Sequence, residues 1–461
     1  MLEGVRGATG RGVVAGRDWT KGSIIRNLLS LSWPMMVHES FYMVGQVVDM
    51  IWVGRLGSAS IAGVGIASII AAISESAIMG LVVGMTAMIA RFMGAGDTSG
   101  ANHVARQSFI ISFAYGAVTT AVAVSLARPI IGLFGLEAAV VTEGVAYMRT
   151  LYAGSLAMSF WFMSLSIMRA SGDSMIPMRI SIFVRCIHVL LDPFLIFGWW
   201  IFPRMGVSGA ALGNVVAQTL GMTISLWVLF SGRTRLRLTM RNFRIDPGTI
   251  WRIVKIGIPA GVMSIQRAFG DLLLAWLLVP FGTLAVAAHS LYQRVMMVLF
   301  LPSWSLGMGS SVLVGQNLGA QQPERSKRTG WLATGIVEAI MLVASVAILL
   351  WAEEIVCIFT SEPDLVQIAS IFLRIATAGF IVSGLTTVLQ QSISGAGDTI
   401  PPMIIGIVIV WAVQLPLAYF LPQATTLGVY GVRWAIVAGM VVGAVAYALY
   451  FKLGRWKRKR V

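Results

Sequence analysis

Charge is what this chain of 461 residues has least of. Only 11% of its residues are Asp, Glu, Lys or Arg, against about 25% in a soluble domain. With 57% hydrophobic residues, that scarcity excludes a water-soluble globular fold and leaves an integral membrane protein. Cysteine is nearly absent. Cys186 and Cys357 stand in or near apolar runs in separate halves, so there is no disulfide framework and no cysteine metal motif. The four histidines, His38, His103, His188 and His289, are scattered, and no nucleophile–base spacing is apparent. The sequence therefore argues against an enzyme and implies no cofactor. Residues 1–22 contain no apolar h-region, so no cleavable signal peptide is expected.

Acidic residues are the scarcer sign, 19 against 34 basic, for a net charge of +15. In a soluble protein that balance would point to nucleic acid. Its placement here points to a membrane surface instead. Arg6, Arg11, Arg17, Lys21 and Arg26 come first, Arg233 to Lys255 hold a central cluster, and Lys452 to Arg460 close the chain. Between them apolar runs of about 20 residues recur, each long enough to cross a hydrocarbon core as a helix. Twelve are expected, with cores near 28–54, 60–90, 104–127, 142–168, 177–198, 208–230, 253–279, 284–314, 331–352, 366–392, 402–421 and 431–451. With six spans per half, all three basic clusters fall on one side. By the positive-inside rule that side is the cytoplasm, in the plasma (inner) membrane of the cell. The opposite loops hold few basic residues (Arg55, Arg128, Arg204), and the loop around Glu353, Glu354, Glu362 and Asp364 is acidic. Arg91 and Arg106, at helix ends, are expected to be solvated.

The chain also repeats itself. "ASGDSMIPM" (170–178) returns as "GAGDTIPPM" (395–403), with Gly172 and Gly397, Asp173 and Asp398, and Pro177 and Pro402 each 225 apart. "ARFMGAGD" (90–97) faces "GQNLGAQQ" (315–322), and Pro34 faces Pro259, at the same offset. Later the offset falls to 223 (Pro193, Pro416) and 222 (Gly206, Gly428), so the connection between the fifth and sixth spans is shorter in the second half. This is a duplicated six-helix unit. Six is even, so both copies enter from the same side. The expected fold is an all-α integral membrane protein of twelve transmembrane helices, in two parallel six-helix bundles related by a pseudo-two-fold along the membrane normal. Residues 1–23 are a mobile basic tail, 24–232 the first lobe, 233–250 a basic cytoplasmic linker, 251–453 the second lobe and 454–461 a basic tail. Such halves suit a secondary transporter with its ligand site between them. The repeated Gly-Asp and Gly-Ala segments are turns, with Gly for permissive backbone and Pro for a first helical turn.

Turns match between the halves, but ionisable residues do not. Asp49 aligns with Leu274, Asp192 with Leu415, Glu39 with Ser264, Glu75 with Phe300, His188 with Trp411 and Arg185 with Val408. A carboxylate at membrane depth costs at least about 2.5–3.5 kcal/mol, so such residues are functional candidates. Arg185, His188 and Asp192 lie along one helix face, as do Glu39, Gln46 and Asp49 more loosely. Burial and a second carboxylate both favour proton uptake by such a pair. The alternative is that Asp192 and Arg185 belong to satisfied polar networks and Asp49 caps a turn. In the second half, Arg267 and Asp271 have ion-pair spacing, and Gln266, His289 and Gln293 are candidates to line the cavity. Met and aromatic residues there would suit varied apolar ligands.

These features resemble the MATE family, the multidrug and toxic compound extrusion transporters, across residues 24–453. The resemblance rests on "WPMM" (33–36), "DMIWVGRLG" (49–57), the two repeated turn motifs, and "LDPFLIFG" (191–198) followed by "GVSGAALGN" (206–214). It implies a multi-pass antiporter, working as a monomer with both termini cytoplasmic. Organic, often cationic and amphipathic small molecules leave in exchange for inward H+ or Na+. The bilayer is its other partner, and nucleic acid is not one. The closest branch is DinF-like, whose coupling Asp pair maps onto Asp49 and Asp192. His188 replaces an Asn often found one turn before the second Asp, and Asn214 a Thr often found in span six. Gln266 and Arg267 stand where some members carry an acid in span seven, which argues against a Na+ site in the second lobe. His188 adds a titratable group, which favours H+, yet a neutral imidazole still offers a nitrogen, so Na+ stays open, bound if at all by Asp49 and Asp192. Substrate and ion would compete for, or be linked through, these carboxylates. The rival reading is a flippase for lipid or lipid-linked oligosaccharide.

Overall fold

The computed structural model describes residues 17–241, 243–459 and 461. The first lobe comprises α1 (Ile24–Gly54), α2 (Ser58–Gly94), α3 (Thr98–Gly132), α4 (Ala138–Ala153), α5 (Ser155–Ala170), α6 (Met175–Phe197) and α7 (Val207–Ser231). The second comprises α8 (Pro247–Leu278), α9 (Thr283–Gly319), α10 (Pro323–Cys357), α11 (Pro363–Gly395), α12 (Ile400–Ile407), α13 (Leu415–Ala424) and α14 (Val429–Leu453). Two of the twelve spans are composite. α4 and α5 form one span bent by 53° at Gly154. α12 and α13 form another, joined by a π-helical stretch, Val408–Gln414. α1 carries Arg26, His38, Glu39 and Asp49 and falls outside the helices that are apolar enough to cross a membrane by composition alone. The connection between the fifth and sixth spans is 198–206 in the first lobe and 425–428 in the second, as the shrinking offset predicts.

The described ends of the chain and the linker lie on one face, called here the terminal face. Arg325 donates to the Gly22 carbonyl at 2.8 Å, Arg235 to that of Ser171 at 3.3 Å, and Lys459 pairs with Asp398 at 3.3 Å. The linker is pinned to α3. Asn102 and Gln107 donate to the carbonyls of Arg237 and Arg244, and Asp246 caps α8 through the Gly248 and Thr249 amides. The Thr249 hydroxyl and His103 hold the Asp246 carboxyl well below the usual carboxylate range. Arg106 is not simply solvated, because it donates to the Arg241 carbonyl at 2.9 Å.

The mobile tail expected over 1–23 is partly corrected. Residues 1–16 fall outside the described residues, but Trp19 is buried against Leu28 and Leu31, and Asn27 donates to its carbonyl at 3.1 Å. An indole this apolar stays packed despite the basic residues beside it. At the other end Trp456 is buried and stacked on Phe451 at 4.6 Å.

The lobes touch through spans one and two of each. α2 packs on α8, and α1 on α9. Gly80-x-x-x-Gly84 faces Gly257-x-x-x-Gly261, so close that an added side-chain carbon at either α2 glycine would meet α8 backbone. Small residues permit such approach where lipid supplies no hydrophobic drive between helices. The duplication recurs in the contacts. Arg91 donates to the Ala396 carbonyl at 3.0 Å, and its repeat partner Gln316 donates to the Ala170 carbonyl at 3.0 Å. Arg91 thus bridges the lobes, contrary to the solvated role expected of it.

One turn shows a mismatch left by the duplication. Gly96 has φ +76°, and its repeat partner is Gln321, held at φ +60°. A side chain in this left-handed region costs about 1–2 kcal/mol, partly offset by glycine's larger folding entropy. Gln321 is exposed and has no packing to lose. Gln321→Gly is therefore expected to raise the thermal midpoint of the detergent-solubilised protein by about 1–2 °C. Differential scanning fluorimetry checks this, and a lower midpoint would contradict it.

Candidate functional site

Four side chains meet on the side of the first lobe away from the terminal face. α6 supplies Arg185, His188 and Asp192, one turn apart on one face, and α1 supplies Asp49. Arg185 Nη1 donates to His188 Nδ1 at 2.9 Å and lies 3.9 Å from Asp49 Oδ2. His188 Nδ1 is 3.7 Å from Asp49 Oδ1, and its Nε2 is 3.3 Å from Asp192 Oδ1. Asp192 is 0% exposed, and neither of its oxygens accepts a well-formed hydrogen bond among the described residues. Room for this comes from two glycines. Arg185 runs across Gly45 of α1, and Asp192 Oδ1 lies against Gly213 of α7. The Tyr42 ring supports the Arg185 guanidinium at 4.9 Å.

Geometry decides the histidine's tautomer. Arginine only donates, so Nδ1 accepts and the proton of neutral His188 sits on Nε2, facing Asp192. Its one lone pair is engaged by Arg185. The sequence left open a neutral nitrogen for a metal cation, and Asp49, His188 and Asp192 still bring one ligand atom each within 4.8 Å of one another. With Asp49 and Asp192 ionised and Arg185 positive, the cluster carries one uncompensated negative charge. Buried charge without a partner is costly, so the cluster calls for one more positive charge.

The other candidates lie elsewhere. Asn214 makes no hydrogen bond to the cluster among the described residues; its neighbour Gly213 is the residue in contact. Glu39 is near His38, 3.8 Å away, rather than Asp49. Gln46 is exposed, one turn from Tyr42 on α1, and Glu75 is half-buried on α2.

Gln266, Arg267, Asp271, His289 and Gln293 all line a cavity of about 990 Å³. Most of its wall is the second lobe. Met35, Met79 and Arg169 contribute from the first, and Met263, Met296, Phe300, Trp304 and Tyr447 make much of the surface apolar. Arg267 and Asp271 do not form the expected ion pair. Both point into open space, and Arg preceding Asp is the weaker i, i+4 order. Asp49 and Asp192 do not line this cavity, so shared occupancy of the carboxylates by ion and substrate is not what the geometry favours.

The MatE family model matches residues 34–194 and 259–420, once in each lobe. The chain belongs to the MatE family. The probable multidrug resistance protein NorM of Thermotoga maritima is 25% identical over 95% of this chain and 94% of its own. The probable multidrug resistance protein YoeA of Bacillus subtilis is 24% identical over 96% of each chain. Among solved structures, a MATE in the bent conformation superposes with a TM-score of 0.89 at 25% identity, covering 97% of this chain and 98% of that one. An outward-facing multidrug resistance MATE transporter gives 0.89 at 24% identity, covering 98% and 100%. The two matches fall one on each lobe of the duplicated unit.

Sequence reasoning missed Gly45, Gly213, Tyr42, Arg169 and Arg433. The glycines leave no signal without a structure. Arg169 stands immediately before the repeated "ASGDSMIPM" segment, outside the stretch that the duplication marks.

Proposed function

We propose that this chain is a proton-coupled multidrug efflux antiporter of the plasma membrane, active as a monomer, with its terminal face toward the cytoplasm. The observation that carries the ion assignment is the Arg185–His188 bond beside the buried Asp192 carboxyl, which accepts no well-formed hydrogen bond among the described residues. Relatives named as multidrug resistance proteins and the large Met-rich cavity support the substrate class, organic compounds of varied shape. Basic residues concentrated on the terminal face support the orientation. The Asp49 and Asp192 motifs support placement in the DinF-like branch.

A proton entering from outside neutralises the cluster and removes the charge that holds Arg185 between α1 and α6. α1 then repacks near Pro34, where the missing amide weakens the helix. The lobes rock, and the cavity exchanges sides. Exchange requires only that proton and substrate favour opposite states; it does not require one shared pocket.

Proteoliposomes carrying an imposed pH gradient or an imposed Na+ gradient test the ion. The pH gradient is expected to drive efflux of a fluorescent organic cation, and an isolated Na+ gradient to leave it at the ungated rate. Efflux driven by Na+ alone would overturn the proton assignment.

A further inference from the structure

We propose that the second lobe holds a subsite for a carboxylate of the exported compound, built on Arg433 and His289. This rests on the efflux reading above and adds, beside organic cations, amphipathic compounds bearing an acid group, alone or beside a basic one.

Arg433 projects from α14 and is 1% exposed. Its guanidinium lies between the rings of Tyr292 and Phe372, 4.2 Å from each centroid. Those faces stabilise a cation but leave most of its N–H groups unused. Nε and Nη1 have no hydrogen-bond partner, and no carboxylate pairs with Arg433 among the described residues. Buried charges in proteins are ordinarily paired, so this one lacks its counter-ion. Nη2 donates to His289 Nδ1. Nδ1 therefore accepts, and the His289 proton sits on Nε2. His289 lines the cavity. Arg433 itself does not line the cavity, so its charge reaches the wall through His289. Arg169 and Arg267 add two cations to the lining, against Asp271 as its one carboxylate among the described residues.

The duplication sharpens the contrast. Arg433 aligns with Ala211, and Phe372 with Tyr147. Ala211 lies on the stretch of α7 that covers Asp192, and Tyr147 is within electrostatic range of Asp49 and Asp192. The same place in the fold holds acid in the first lobe and base in the second. A purely cationic substrate gains nothing from the basic one. A carboxylate gains charge-assisted hydrogen bonds.

The test uses a rhodamine methyl ester, a cation, and the same dye as its free carboxylic acid. Binding of each to the purified full-length protein is read by fluorescence anisotropy, and export of each in proteoliposomes. Arg433→Gln and His289→Phe are both made, the second keeping ring volume if the first fails to fold. Each is expected to weaken binding of the acid by about tenfold or more and to leave the ester within about twofold. Equal weakening of both dyes, or no weakening of the acid, overturns the subsite. So does a result in which exchanging chloride for gluconate shifts both dyes alike, because the pocket then takes an inorganic anion. Selective binding of the acid without export of either dye upholds the subsite and overturns the efflux reading.

Discussion

Asp192→Asn is expected to abolish uphill, pH-driven efflux while leaving a folded protein that still lets substrate equilibrate. Each pH unit across the membrane supplies about 1.4 kcal/mol per proton, a factor of about ten in concentration. The cluster lacks one positive charge, so one proton per cycle is the expected load, and exchange for a monovalent cation is electroneutral. Two pH units then sustain a ratio of about one hundredfold for the exported compound, which the variant reduces to about one. The amide nearly matches the carboxyl in volume. Asp192 makes no well-formed hydrogen bond among the described residues, so little bonding is lost, and the stability cost stays within about 1–3 kcal/mol. Asp49→Asn removes the same charge but also the group opposite Arg185, 3.9 Å away, so it is expected to disturb α1 as well as coupling. Accumulation ratios of a fluorescent cation, measured beside a thermal midpoint, separate these effects. An Asp192→Asn protein that sustains the wild-type ratio would move coupling to Glu39 or Glu75.

The acid pair was legible because carboxylates inside apolar runs stand out, and the duplicated half supplied Leu274 and Leu415 as their apolar counterparts. The spans were legible because lipid demands long apolar helices. The Arg185–His188 bond was half legible: helical spacing placed the two on one face, but only geometry assigned the donor. The lobe seal was not legible. Arg91 reaches a carbonyl 305 residues away, and no local pattern announces that. Arg433 was missed for a different reason. The first half's acids stand out against apolar counterparts, whereas a base facing Ala211 is visible only when the second half is read against the first.

The glycine contact between α2 and α8 carries the other large effect. Gly84→Ala places a carbon against the Ile253 carbonyl, which belongs to backbone and cannot rotate away. Overpacking of this kind costs about 1–3 kcal/mol. The cost falls only on the arrangement in which the lobes are sealed at the terminal face. A penalty on one of two states shifts their balance by its full amount, here about 5–150-fold toward the state open at that face. Gly65→Ala on the same helix meets nothing within 4 Å and serves as the control. Spin labels at Ser99 and Gln321, exposed on opposite lobes of the terminal face, report the change once Cys186 and Cys357 are replaced by Ser. The Gly84→Ala distance distribution is expected to gain a longer component that Gly65→Ala lacks, with efflux slowed because the return step is now uphill. Identical distributions would mean that α8 yields locally, and that this glycine contact does not hold the lobes together.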